Sequence, residues 1–153
     1  MGTLLDRVTV ALSAKGGSRD NTARALRRSF LVSADMAHAA HPNHLDKHEP
    51  AHRPELGGGV VIKTNVNQSY TTDAESAARF MAFCREVGTP VQQFVTRSDL
   101  GCGSTIGPIT AAQLGIPAID VGNPMLSMHS AREMAAAADV APMIKALGRF
   151  LVR

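Results

Sequence analysis

The sequence predicts an α/β fold, a layered sheet with helices on its faces. Stretches with helical period open and close the chain, at residues 3–14 and 143–151. Between them, short apolar runs of strand length alternate with further helix-period stretches. Glycine and proline mark most of the joints. At 153 residues the chain has material for a single domain, 1–153, with a sizeable core.

Leu4, Leu5, Val8, Ala11 and Leu12 recur at helical spacing and predict an amphipathic helix over 3–14, stopped by Gly16-Gly17. Ser18 caps a second helix running through Arg28, with Asp20 in its first turn. At Phe30-Leu31-Val32 the pattern becomes that of a buried strand. Residues 36–59 hold Pro42, Pro50, Pro54 and Gly57-Gly58-Gly59 with no sustained period. A loop that long in a compact domain is usually functional or disordered.

Val60-Val61-Ile62-Lys63 is the next strand. Thr72 and Glu75 have capping-box spacing, opening a helix with Ala77, Phe80, Met81, Cys84 and Val87 on one side. Gly88-Thr89-Pro90 ends it, and a third strand follows over Val91–Thr96. The tight loop Gly101-Cys102-Gly103-Ser104-Thr105 feeds a helix from Ile106 to Leu114, with Pro108 tolerated in its first turn. Ile116–Val121 is a fourth strand. Ser130 and Glu133 form a second capping box that places His129 just before a helix. Asp139 and Pro142 divide the helical tail, and Met143, Ile144, Leu147, Phe150 and Leu151 stripe its last part.

The balance of charge is only +3, and Arg24, Arg27 and Arg28 form the one basic cluster, read as a solvated helix face. With one tyrosine and no tryptophan beside it, nucleic acid is not an expected partner. Two cysteines, Cys84 and Cys102, are too few for a disulfide framework and point to a reducing compartment. Asp6 and Arg7 interrupt any signal-peptide core, and no apolar run has membrane-spanning length. The expectation is a cytoplasmic protein with no membrane partner.

Five of the six histidines fall between His38 and His52. Asp35 ends a buried strand and is followed by His38 and His41, ligand types suited to zinc, manganese or cobalt. Alone, Asp35 reads equally as a cap or a loop hydrogen-bond acceptor. His44, His48 and His52 are interspersed with Asp46, Lys47, Glu49 and Arg53 and read as solvated. A histidine-rich metal carrier is a competing reading of the same cluster. Next to a capped helix, His129 is either a surface residue or an imidazole kept neutral by the helix terminus. Lys63 is an edge charge or a carboxylate-binding cation, and Tyr70 packs or contacts a ligand. The glycines around Cys102 let backbone N–H groups approach a ligand. If the strands run parallel, Asp35, the Gly101–Thr105 loop and His129 meet beyond their carboxyl ends.

Ser33-Ala34-Asp35-Met36-Ala37-His38-Ala39-Ala40-His41-Pro42-Asn43 resembles a signature segment of the M18 family of metallo-aminopeptidases (aspartyl aminopeptidases). So do Leu45-Asp46-Lys47-His48-Glu49, Val61-Ile62-Lys63-Thr64-Asn65, Cys102-Gly103-Ser104-Thr105-Ile106-Gly107-Pro108 and Met128-His129-Ser130-Ala131-Arg132-Glu133. The motifs stand in family order from about Gly16 to the C-terminus. The resemblance implies an incomplete dizinc exopeptidase-like fold, a three-layer α/β sandwich with a mixed β-sheet. It implies two Zn2+ per complete site, with Mn2+ or Co2+ as alternatives, and Asp35 and His129 as ligands, one to each metal. Asp35, His38, Lys63 and Tyr70 match substrate-contacting positions, Lys63 being suited to an acidic side chain. The implied reaction is hydrolysis of an N-terminal residue, often Asp or Glu, from a peptide.

Family members are much longer, and the resemblance covers only their C-terminal part. The part without a counterpart here carries a further metal-binding His, the bridging Asp and a Glu-Glu pair that includes the general base. No Glu-Glu dipeptide occurs in this sequence. The family's inserted oligomerisation domain has no counterpart either. The expectation is therefore a chain with no catalytic general base, inactive alone, that forms a homo-oligomer or associates with a missing N-terminal half. The alternative is a non-catalytic metal-binding or interaction remnant of the same fold.

Overall fold

The structure, a computed structural model, describes residues 1–13 and 18–152. The predicted Gly16-Gly17 stop lies outside the described residues. Helix α1 (Gly2–Leu12) precedes α2 (Arg19–Arg28), where Ser18 Oγ accepts from Asn21 N as the cap. The apolar runs become β1 (Leu31–Ala34), β3 (Val60–Thr64), β4 (Val91–Val95) and β5 (Ala118–Gly122), with the two-residue β2 (Ala37–His38) between the first pair. They assemble in the order β1-β5-β3-β4.

The sheet is mixed. β1 runs parallel to β5 and β3 parallel to β4, but β3 and β5 are antiparallel, with Val61 opposite Gly122. The strands thus do not all point one way, and their carboxyl ends divide between two edges. A second, smaller sheet pairs β2 with β6 (Pro124–Leu126) and β6 with β7 (Met134–Ala135). The smaller sheet extends the larger one. Past β1, the N–H groups of Asp35, Ala37 and Ala39 donate in turn to Val121, Asn123 and Met125.

Alternation along the strands sorts side chains onto two faces. Val60, Ile62, Ile119 and Val121 face α3 (Ala74–Glu86) and α5 (Val140–Leu151) in the main core, with Phe30, Phe80, Phe83 and Ala146. Phe30, Phe83 and Phe150 cluster there with ring centroids 6.1–6.5 Å apart. Val61, Lys63 and Asp120 leave from the opposite face. There α4 (Ile106–Leu114) packs, its Gly107 so close to Asp120 that a Cβ would meet Oδ2 at 2.6 Å. Helices on both faces make the three layers.

Two capping boxes differ from the sequence reading. Asp73, not Thr72, caps α3: its side chain accepts from Ser76 N while Ser76 Oγ accepts from Asp73 N. Thr72 Oγ1 is engaged by Asp120 N instead, at 3.1 Å. No helix begins at Ser130. The residues form a turn, Ser130 Oγ accepting from Arg132 N and Glu133 Oε1 from His129 N, and β7 follows. The helical tail begins at Val140, after a 3-10 turn over Ala137–Asp139, and Pro142 sits in its first turn.

Candidate functional site

Asp35 stands where the chain leaves the main sheet for the smaller one. Its carbonyl presses on the neighbouring strand so closely that a Cβ on Gly122 would meet it at 2.0 Å, which is why a glycine is needed there. Its Oδ1 accepts from Met36 N at 2.7 Å, leaving Oδ2 toward Lys63 Nζ at 3.8 Å. Lys63 is almost wholly buried, so its side chain runs back beneath this segment and Nζ donates to Met36 O at 3.1 Å. Burial pushes the ammonium below its ordinary pKa, and Asp35, then Asp120 and Cys102, pull the other way.

Tyr70 is buried beside it, with Lys63 Nζ 5.2 Å from the ring centroid. Burial first, then the hydrogen bond to Cys102, raises its pKa, so the phenol keeps its proton. Cys102 Sγ in turn accepts from Thr96 Oγ1 at 3.3 Å. His38 lies at the mouth, its ring 6.2 Å from that of Phe94. Enclosure lowers its pKa, aided by His129 and Lys63 and opposed by Asp35, so the neutral imidazole is favoured.

His129 has φ 68° and Ser127 φ 55°, left-handed values that non-glycine residues seldom adopt. With no helix behind it, the helix-terminus argument for a neutral His129 lapses. Asp35, His38, Lys63, Tyr70 and His129 nevertheless line one cavity of about 140 Å³, which the Gly101–Thr105 loop also walls. They meet over one sheet face rather than beyond a common set of carboxyl ends. Lys63 and Phe94, adjacent across β3 and β4, carry the site from one edge toward the other.

The remaining histidines separate. His41, His44 and His48 line an adjoining cavity of about 630 Å³. His48 is a correction: it is buried, edge-on to Phe94 with ring centroids 5.8 Å apart, where the sequence suggested solvent. A 3-10 turn over Pro42–Lys47 folds its ring inward from among charged neighbours. His52 stays half-exposed and pairs through Nδ1 with Glu49.

Asp120 was not singled out by the sequence reading. Fully buried, its Oδ2 accepts from Thr71 N at 2.7 Å and Thr71 Oγ1 at 3.0 Å, while Oδ1 accepts from Thr105 Oγ1 at 2.6 Å. It thereby ties the segment carrying Tyr70 to the loop carrying Cys102. A carboxylate inside the apolar run Ile116–Val121 was the available signal, since buried acids need partners.

Among the described residues, no three His, Cys, Asp or Glu side chains come together closely enough to hold a metal ion. Asp35 and His129 are donors on one cavity wall, short of the three or four ligands a stable zinc site takes. These residues by themselves do not fit a zinc centre.

The family model described as Aminopeptidase I zinc metalloprotease (M18) matches residues 1–151. A probable M18 family aminopeptidase 2 of Pseudomonas aeruginosa (strain UCBPP-PA14) is 52% identical over 149 residues, 97% of this chain and 34% of that protein. A solved complex of Ape4 and Nbr1 matches with TM-score 0.91 at 41% identity, over 97% of this chain and 27% of that one. An S. cerevisiae mApe1 dodecamer matches with TM-score 0.85 at 28% identity, over 99% and 32%. The chain spans about a third of the length of the curated relatives it matches.

Proposed function

This chain belongs to the Aminopeptidase I zinc metalloprotease (M18) family, and from that membership we propose that it supplies one wall of a two-zinc aminopeptidase site. Asp35 and His129 give one ligand to each metal. Lys63 receives the acidic side chain of an N-terminal Asp or Glu, and His38 and Tyr70 contact the same residue. The bridging carboxylate and the general base come from outside these 153 residues, so the chain alone binds zinc weakly and hydrolyses nothing at a useful rate.

The observation that carries this reading is the meeting of five residues, from three separate stretches of the sequence, around one small cavity with a buried lysine in its wall. The Lys63 amine next to a phenol that keeps its proton places two hydrogen-bond donors where a carboxylate could bind. The shortage of metal ligands fits a partial site as well as the alternative, a non-catalytic remnant.

A homo-oligomer, or association with the rest of an M18 catalytic domain, is part of the proposal. Its support is the dodecamer of the yeast neighbour and the exposed apolar side chains Leu4, Leu12, Ile109 and Ile144. Among the described residues no helix is long and apolar enough to cross a membrane. A cytoplasmic location is proposed on the cysteine usage alone.

A chimera tests the assignment: this chain replaces the matching stretch of the P. aeruginosa relative. Chelator-sensitive hydrolysis of an aspartyl anilide is expected, lost on Asp35→Ala or His129→Ala and kept on His44→Ala or His52→Ala. Activity that survives both of the first pair, or that follows the second pair, contradicts the assignment and favours the histidine-rich carrier.

A further inference from the structure

The site continues into the larger cavity. Five residues, His38, Phe94, Thr96, Gly101 and Met128, line both it and the 140 Å³ cavity. The smaller space is below the roughly 300–1,000 Å³ of ordinary ligand pockets, with room for about one side chain; the larger, near 630 Å³, falls within that range. The two differ in chemistry. Asp35, Lys63 and His129 belong to the smaller alone; Leu100, Met125 and Leu126 belong to the larger alone, where His41, His44, Lys47 and His48 form its polar rim.

Met128 stands at the junction, between Ser127 and His129, the two neighbours with left-handed backbone. Such strain persists where the surroundings hold it, and here it fixes a side chain where the two spaces meet. Methionine is flexible and polarizable, and Met125 and Met128 together give a wall that adapts to apolar groups of varied shape. The larger cavity's lining holds further polar capacity: buried His48 has no partner at Nδ1 within the protein.

We propose that the larger cavity seats the residue that follows the N-terminal one in a peptide, and that it favours an apolar side chain there. This rests on the aminopeptidase reading. A peptide whose first side chain enters the small polar cavity has an adjoining, partly open space for its second, and Phe94, Leu100, Met125 and Met128 are among its walls. Leu126 extends the same apolar wall. Covering a leucine side chain here raises affinity about tenfold or more over glycine at the same position.

Methyl NMR on the 153-residue chain, with labelled methionines, tests this. Met36 lines only the small cavity, Met125 only the large one, and Met128 both. Three probes are titrated: aspartic acid amide, Asp-Gly-amide and Asp-Leu-amide. The expected result is that aspartic acid amide shifts Met36 and Met128 only, and that Asp-Leu-amide also shifts Met125 and binds about tenfold tighter than Asp-Gly-amide. Leu100→Arg, which puts a charge into the larger cavity, removes that advantage while the core methyls of Met81 and Met143 hold their positions, showing that the variant is folded.

Equal affinity of the two dipeptide amides, or a still Met125, overturns the proposal; so does silence from every probe. If Met36 moves while Met125 does not, the inference falls and the aminopeptidase reading stands. If Met125 follows the leucine probe while Met36 never moves, the apolar seat stands and the acidic first-residue reading falls.

Discussion

Lys63 Nζ lies 3.8 Å from Asp35 Oδ2, a pairing in which the lysine side chain is 2% exposed and the aspartate 59%. Solvent screens the carboxylate while the cation sits in a medium that disfavours its charge. The pair is thus poorly matched as a stabilising bridge. Asp35 is the first of the groups that raise the lysine's pKa against burial. Asp35→Asn is expected to move the Lys63 titration to lower pH. The pH profile of Lys63 acylation, or its side-chain NMR signal, reads this; an unchanged profile contradicts it.

Acid is expected to loosen the fold through His48. Burial lowers its pKa below the ordinary value, the Ala39 backbone hydrogen bond opposing, and His38 shifts the same way. Near and below about pH 6.5 the unfolded chain therefore binds more protons than the folded one. Stability is full above that value and is lost as pH falls through the lower folded pKa. The thermal midpoint should drop between about pH 7.5 and pH 5, and His48→Phe should flatten part of the drop. A midpoint as steep in the variant as in the parent would assign the loss elsewhere.

Asp139 is wholly buried and accepts from Gly57 N and Gly59 N, each at 2.8 Å, pinning the glycine turn before β3 to the start of α5. Asp139→Ala leaves both donors without that acceptor, at a cost of about 3 kcal/mol in unfolding free energy. Urea denaturation measures it; a loss under about 1 kcal/mol would mean that water satisfies both groups.

Periodicity made most of this fold legible. Helices α2, α3, α4 and the four main strands follow runs of side chains that local sequence displays. β2, β6 and β7 did not show, because two or three residues have no period and their partners are distant in sequence. Ser130 and Glu133 carry the spacing of a helix cap, yet the same hydrogen-bonding groups close a turn around a left-handed His129. Strand direction was equally hidden: nothing in Val60–Lys63 says that it opposes β5. In the candidate site, Asp35, His38, Lys63, Tyr70 and His129 were named from sequence and meet in one cavity. His48 escaped, since Asp46, Lys47 and Glu49 around it spoke for solvent while one turn of chain carried its ring inside.

The two thiols should differ sharply. Cys84 is fully buried in the core and its pKa is pushed up to about 11 by burial, whereas Cys102 is partly exposed in the cavity wall. One thiol per native chain is expected to react with a disulfide reagent near neutral pH, and the second only on unfolding. Blocking of Cys102 by Asp-Leu-amide would accompany peptide entry; two fast thiols in the native chain would contradict the packing around Cys84.

The proposal that this chain holds part of an M18 site, without the groups that complete it, comes down to whether the chain can turn over a substrate alone. Hydrolysis of an aspartyl anilide by the purified 153-residue chain, with zinc, manganese or cobalt supplied, tests that most directly. No release of product above the metal-only blank is expected. Turnover that disappears with a chelator would contradict it, because a general base and a full ligand set would then have to lie within these residues.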